Sequence, residues 1–162
     1  MEALGKHSPI RDHRYRLEPP AQLVDLQHEE AVSERLRYLA VGAAASLAQK
    51  LMLIPGYSED GFELGSWLGV LAVSLVVAAL VFVFVVPGGG AVTGVVLGAV
   101  ALVSVVVFWA GFTLPLAVAA GLVGWRARQG GERPGLANAA LALAVVAAVA
   151  LVAIIIGDAV AN

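Results

Sequence analysis

Between Ser66 and Trp125 the chain has sixty consecutive residues without Asp, Glu, Lys, Arg, His, Asn or Gln. A water-soluble domain keeps polar side chains on its outer face, so even its buried helices carry charge on one side. Sixty residues without such side chains are stable only in apolar surroundings, which indicates a lipid bilayer. The composition supports this interpretation. The chain has 60% hydrophobic and 14% charged residues, whereas soluble domains contain about 45–50% apolar and about 25% charged residues.

Four apolar runs are separated by residues that end helices. They cover residues 66–86, 91–110, 114–128 and 136–156. The run from Ser66 to Val86 would measure about 31 Å as a helix, which matches a hydrocarbon core of about 30 Å. Pro87 and the three glycines after it end this run, because proline lacks a backbone N–H and glycine is a poor helix former. Each run is therefore predicted to be a transmembrane helix.

The boundary between the second and third of these runs is a predicted turn. A single helix over residues 91–125 would be about 52 Å long, which is too long for one crossing. Gly111 interrupts the helix here, and Thr113 is the expected N-cap of the next helix, with Pro115 in its first turn. The next crossing is therefore predicted to begin at about Leu114.

A fifth run, residues 38–54, is apolar except for Gln49 and Lys50. It is either a further crossing or an amphipathic helix at the membrane surface. Nine of the ten Lys and Arg residues lie before Tyr38 or in the loop 126–133, and cytoplasmic loops hold the excess of these residues. Only an additional crossing places both basic segments on the same side. The sequence therefore predicts an all-α integral membrane helical bundle of five spans, with four spans and an interfacial helix as the alternative.

The polar N-terminal segment, residues 1–37, is expected to be a partly disordered cytoplasmic arm with a helix from about residue 22. This helix either runs into the first span or lies on the membrane surface. The first sustained apolar run starts only at Tyr38, so no cleaved secretory signal is expected. The bundle then occupies residues 38–157, and residues 158–162 form a short external tail. The expected location is the inner cell membrane, crossed several times from a cytoplasmic N-terminus.

Small residues recur at helical spacing in several spans. Gly94 and Gly98 form a GxxxG motif, and similar pairs occur in the first and fourth of the five spans. Small residues let helix backbones approach closely, which replaces the hydrophobic driving force that is absent between helices in lipid. These faces either bind a partner or pack the bundle itself. The candidate packing residues are Gly42, Ser46, Gly94, Gly98, Gly121 and Gly124.

Gln49 and Lys50 form the candidate intramembrane polar site. Lys50 is an ionisable side chain within the first predicted span, and intramembrane charges often mark ion paths or binding sites. Alternatively, because Lys50 is four residues from the end of this span, its ammonium group snorkels outward towards Glu59 or Asp60. The Gln49 amide can donate a hydrogen bond to a neighbouring helix, which does not by itself make a site.

The sequence contains no motif for catalysis, metal binding or cofactor binding. Cysteine is absent, and His7, His13 and His28 lack the spacing of metal ligands. The glycines of residues 88–90 are not followed by the Lys and Ser or Thr of a phosphate-binding loop. No serine of the predicted spans has a plausible base nearby in the sequence. We therefore expect no enzymatic activity, metal, cofactor, nucleic-acid partner or small-molecule substrate.

Two motifs in residues 94–156 are similar to those of a known group of membrane proteins. They are Gly94-Val-Val-Leu-Gly98 and Gly124-Trp-Arg-Ala-Arg-Gln-Gly-Gly-Glu-Arg-Pro-Gly-Leu-Ala-Asn138. With them the chain resembles a group of small, uncharacterised bacterial membrane proteins, common in actinobacteria, that share a Gly-rich helical domain. In that group an apolar hairpin leads to an Arg- and Gly-rich loop and a Gly-Leu-Ala helix start. The resemblance implies a multi-span helical fold and no catalytic residues, because the group has no established activity.

The expected function is that of a non-enzymatic accessory, assembly or scaffold subunit that acts in the lipid bilayer through helix packing. The expected partner is a second copy of the chain or a larger membrane complex. The alternative is a component of an oligomeric channel or transporter, whose path forms only when several copies assemble.

Overall fold

The computed structural model describes residues 21–53 and 64–161. Within them the chain is all-helical, as predicted, and contains no strand. The helices are α1 (Ala21–Met52), α2 (Leu64–Leu80), α3 (Ala91–Ser104), α4 (Thr113–Gln129) and α5 (Pro134–Ala161). A π-helical turn, Val81–Val85, extends α2, and a 3-10 stretch, Val105–Ala110, extends α3. The apolar runs thus coincide with helices. The fifth run and the helix before it belong to one continuous helix, α1.

The helix boundaries follow from residues with special backbone conformations. Gly90 is the N-cap of α3 in an extended conformation. Gly111 has a positive φ of 81° between α3 and α4, a conformation that glycine adopts without steric cost. Gly131 also has a positive φ, of 72°, in the connection to α5, whose first residue is Pro134. Proline is favoured at this position because its fixed φ suits a helix and its missing N–H needs no partner.

Helices α3, α4 and α5 pack most extensively against one another and form the centre of the molecule. Many of the side chains at their contacts are small, and Ala101, Ala119, Ala120 and Ala147 are fully buried. Short side chains allow the helix backbones to approach closely, so that van der Waals contact is made along their length.

Helices α1 and α2 form an antiparallel hairpin beside this three-helix centre, which α1 reaches mainly through α4. Near one end of the hairpin a Cβ on Gly42 would lie 2.6 Å from Phe82, and near the other Lys50 and Ser74 meet at Gly111. The Val86 N–H donates to the Val81 carbonyl at 2.9 Å, five residues earlier. This wider turn includes the buried Phe82, which packs directly against the glycine of α1.

Two segments among the described residues are long and apolar enough to cross a bilayer, Gly65–Val85 and Pro134–Asp158. Ala91–Val107 is apolar but shorter. Only 17% and 22% of the most apolar windows of the two long segments are buried, whereas a core helix of a soluble protein is mostly enclosed. Aliphatic side chains such as Val76 and Val149 are instead more than half exposed. These two helices indicate membrane association.

Candidate functional site

Polar side chains gather inside the helical bundle where α3 ends and α4 begins. Gln49, Lys50, Ser74 and Thr113 are at most 1% exposed, and Ser104 lies beside Thr113. We call these five residues the turn cluster. They come from four different helices and surround the turn at Gly111.

Lys50 is enclosed within the turn cluster. Its Nζ donates a hydrogen bond of 2.9 Å to the Trp109 carbonyl oxygen, in the last turn before Gly111. A positive charge is favourable here, because the carbonyl groups at the C-terminal end of a helix carry partial negative charge. The ammonium group therefore points inward rather than outward as in the snorkelling interpretation. Glu59 and Asp60, its proposed partners in that interpretation, lie outside the described residues.

Gln49 provides the cap of α4 from another helix. Its Oε1 accepts a hydrogen bond of 2.9 Å from the Leu114 N–H, one of the backbone donors that the first turn of a helix leaves without an internal partner. The predicted N-cap role of Thr113 is wrong. Phe112 is the N-cap and makes no side-chain cap bond. The Thr113 hydroxyl is instead hydrogen-bonded to the Ser104 hydroxyl at 3.0 Å.

Gly111 is held from two sides. The Ser74 hydroxyl donates to the Gly111 carbonyl at 2.7 Å. A Cβ on Gly111 would lie 2.5 Å from Cε of Lys50 and 3.4 Å from Oγ of Ser74. The turn therefore needs glycine for both its positive φ and the close approach of the Lys50 side chain.

Three side chains of the turn cluster hydrogen-bond to polar groups of the backbone. Lys50 and Ser74 donate to carbonyls at the end of the α3 extension, and Gln49 accepts from the start of α4. Among the described residues no three potential metal ligands cluster. The donors and acceptors of the cluster can bind polar groups, and in this structure they hold the backbone of the turn.

A second set of charged side chains lies at the opposite end of the bundle and joins α1 to α4. Arg126 lies 5.5 Å from the centre of the Tyr38 ring and 3.7 Å from Oε1 of Glu34. The Tyr38 hydroxyl donates to the same Glu34 oxygen at 2.8 Å, and Arg126 donates to the Val86 carbonyl at 3.4 Å. These side chains are partly exposed, so the ion pair contributes about 1 kcal/mol at most.

The loop between α4 and α5 meets the start of α3 at this same end. Oε2 of Glu132 accepts a hydrogen bond of 3.4 Å from the Ala91 N–H, where a negative charge is favourable beside the N-terminus of a helix. A cavity of about 320 Å³ is open beside it. Its lining comprises Pro87, Gly88, Gly89, Gly90, Arg126, Ala127, Gly130 and Glu132.

The GxxxG motif of α3 packs inside the bundle. A Cβ on Gly94 would lie 2.9 Å from the Cβ of Ala140, and one on Gly98 would lie 2.7 Å from the Cβ of Leu143. Gly124 on α4 approaches the same alanine of α5, since its Cβ would lie 3.0 Å away. These three glycines therefore occupy contacts between α3, α4 and α5.

The remaining candidate packing residues also lie inside the molecule. Gly121 faces Ala144, with 3.7 Å between a Cβ placed there and the alanine Cβ. Gly42 lies against Phe82, and the buried Ser46 donates to the Gly42 carbonyl at 3.1 Å. The structure thus uses the candidate packing faces within one chain.

Two groups of residues in the structure are not among the candidate site or packing residues named from the sequence. The first group, Ser74, Ser104 and Thr113, belongs to the turn cluster. The sequence pattern that could have indicated them is a hydroxyl residue within an otherwise apolar run. Gly65 and Gly69 form a second GxxxG motif at the start of α2. No atom of the described residues lies within 4 Å of a Cβ placed on either glycine, so this motif is open. The spacing alone does not distinguish it from the motif of α3.

No protein family, curated protein or solved structure matches this chain.

Proposed function

We propose that the protein is a non-enzymatic, five-span integral membrane protein that acts as an accessory or assembly subunit through helix packing. The observation that carries this proposal is the contrast between the turn cluster and the outer surface. Gln49, Lys50 and Ser74 of the cluster hydrogen-bond to the backbone of the α3–α4 turn, while the exposed surface of α2, α3 and α5 is aliphatic. A surface of this kind contacts lipid or other helices, and membership of the Gly-rich actinobacterial group is part of the same proposal.

The proposed topology has a cytoplasmic N-terminus. The contact between Glu132 and Ala91 brings the loop after α4 and the turn before α3 together, and Arg126 joins the same end to α1. This end contains Arg126 and Arg128 in the last turn of α4 and Arg133 in the loop after it, so the excess of Lys and Arg supports its assignment to the cytoplasm. Reporter fusions at Ser58 and Asn162 test the topology, because both are expected outside. A cytoplasmic signal at Ser58 would contradict five spans.

The proposed docking face is the outer side of α2. Gly65 and Gly69 leave space for a neighbouring backbone, and the exposed Val73 and Val76 continue the same apolar helix. GxxxG pairs allow helices to pack at short distance in lipid. Purification in mild detergent should therefore recover the protein with a second copy or within a larger complex.

The test of this face is the substitution Gly69→Ile, whose bulk prevents close approach of a partner helix. We expect loss of the assembly in native gels, while the exposed control Val149→Ile on α5 leaves it intact. A wild-type protein that runs as a monomer would rule out the accessory role. Equal assembly of the wild type, Gly69→Ile and Val149→Ile would rule out the α2 face as the docking surface but would leave the accessory role standing.

A component of an oligomeric channel or transporter is the second candidate. The observation that favours it is the buried Lys50 beside an interrupted helix, since transporters place ion and substrate sites at such interruptions. This function predicts ion flux in reconstituted liposomes that changes on Lys50→Ala. Background flux from both proteins would exclude it.

A further inference from the structure

The end of the third helix is irregular over a whole turn. From Val105 to Ala110 the backbone is 3-10 helical, and within it Val107 leaves helical geometry, with φ −112° and ψ 43°. Gly111 follows with a φ of 81°. Although 3-10 turns are common at helix ends, here the non-helical Val107 and Gly111 also bound a short segment, Val107–Gly111, that can move as a unit.

Most of the side chains described at this end of the helix are exposed or partly exposed. Val105 is 6% exposed, but Val106 is 74% and Trp109 is 53% exposed. Segments with few buried contacts open at lower free-energy cost than the rest of a fold. The α3 residues before it are anchored by contrast, because Ala101 is fully buried and Gly98 packs against α5.

Polar contacts from the α1–α2 hairpin restrain the segment instead. The Lys50 ammonium group donates to the Trp109 carbonyl, and the Ser74 hydroxyl donates to the Gly111 carbonyl. The Lys50 Cε also fills the space where a Cβ on Gly111 would lie. Lys50 therefore restrains the segment through both a hydrogen bond to the Trp109 carbonyl and packing at Gly111.

We propose that Val107–Gly111, at the end of the third helix, is a hinged segment that Lys50 holds closed against the bundle. Closure covers the Ser104 and Thr113 hydroxyls, of which Thr113 is fully buried. Opening about Val107 and Gly111 uncovers these hydroxyls from the side of the exposed Trp109. The hinge requires only the helical bundle and holds for either function proposed above.

The chain contains no cysteine, so single-cysteine labelling tests the hinge directly. Thr113→Cys is the reporter and Val123→Cys is the control, since both positions are fully buried and lie about 15 Å apart along α4. Each cysteine substitution is made in the wild-type chain and in the Lys50→Met variant. Methionine has an unbranched side chain of similar length but no hydrogen-bond donor. The proteins are reconstituted in liposomes and labelled with a cationic methanethiosulfonate reagent.

We expect Lys50→Met to raise the labelling rate of the Thr113→Cys reporter by about tenfold, as the loss of one charge-assisted hydrogen bond predicts. The labelling rate of the Val123→Cys control should stay unchanged. An unchanged reporter rate would overturn the proposal, and so would an equal rise at both positions, because that result means general loosening.

A second variant keeps the test decisive if Lys50→Met does not fold. Ser74→Ala removes the donor to the Gly111 carbonyl and leaves Lys50 in place. In this variant we expect a rise of several-fold at the reporter and none at the control. No rise in a folded Ser74→Ala protein would contradict the hinge.

Discussion

Gly111 is the residue whose identity the local structure restricts most closely. Its φ of 81° disfavours any side chain, and the position of a Cβ is already taken by Lys50. The methylene of Lys50 can move because it is near the end of a flexible side chain. Moving it, however, breaks the hydrogen bond to Trp109, so backbone conformation and the polar contact depend on one another at this position.

Gly111→Ala is therefore expected to lower the free energy of unfolding by about 1–3 kcal/mol, through backbone strain and displacement of Lys50. Unfolding in mixed detergent micelles, followed by circular dichroism, measures this loss. The matched control is Gly157→Ala in α5, where a Cβ meets no atom within 4 Å and alanine favours the helix. Equal stability of the two variants would show that Gly111 is not constrained.

Gln49→Leu tests the cap that α1 provides to α4. Leucine keeps a similar size but cannot accept the hydrogen bond from the Leu114 N–H. Leaving a buried donor without its acceptor costs about 1–3 kcal/mol, and the loss should appear locally as faster hydrogen exchange of the Leu114 amide. Gln49→Glu retains an acceptor oxygen and is the control for the cap. Unchanged exchange in the leucine variant would contradict the role of Gln49.

At the scale of helices, two GxxxG motifs with the same spacing have different environments. The glycines of the α3 motif contact Ala140 and Leu143 on α5, whereas Gly65 and Gly69 of α2 face no described atom. The difference arises because α3 lies in the three-helix centre and α2 lies at its side. Small residues therefore stabilise the chain in one helix and leave a surface open in the other.

Gly98→Ala should destabilise the protein, because its Cβ would lie 2.7 Å from the Cβ of Leu143 and this atom cannot move without shifting α5. Overpacking of this kind costs about 1–3 kcal/mol. Gly69→Ala adds the same methyl group in open space, so we expect its free energy of unfolding to equal or exceed that of the wild type. A comparison of both variants in the same detergent unfolding assay decides the point, and equal losses would contradict it.

At the scale of the whole molecule, the two ends of the bundle differ in chemistry. One end has the turn cluster, whose polar groups are buried. The other has Glu34, Tyr38 and Arg126 in partly exposed contacts, and Glu132 at the start of α3. Buried polar groups hold a precise geometry, while charges at the other end are free to interact with water and headgroups.

The arginines at the end of α4 and in the loop after it are expected to set the orientation of the last two helices. Replacing Arg126, Arg128 and Arg133 by Gln should give a mixed orientation, because the excess of Lys and Arg keeps a loop in the cytoplasm. A reporter fused at Asn162 measures the fraction in each orientation. The same three residues changed to Lys retain the charge and should keep one orientation. A single orientation in the Gln variant would contradict this role.

The helices could be predicted from sequence, but the contacts between them could not. Apolar runs ended by Pro87 or Gly111 define helices because proline lacks a backbone N–H and glycine readily adopts non-helical conformations. The cap of α4 depends on Gln49, which is 65 residues from Leu114, and no local pattern joins such distant residues. Thr113 was predicted to be the N-cap from its own neighbourhood. It bonds to Ser104 instead, because α3 brings that hydroxyl against it.

The uninterrupted α1 helix also has a mechanical consequence. Its 32 residues make a rod of about 48 Å, whose polar part at Glu29–Glu34 is exposed and whose other end carries Lys50 into the turn cluster. A rigid helix transmits displacement along its axis. If a partner pulls the exposed part outward by one residue rise, about 1.5 Å, Lys50 retracts from the Trp109 carbonyl by the same distance, so a force applied at one end of the molecule loosens the other.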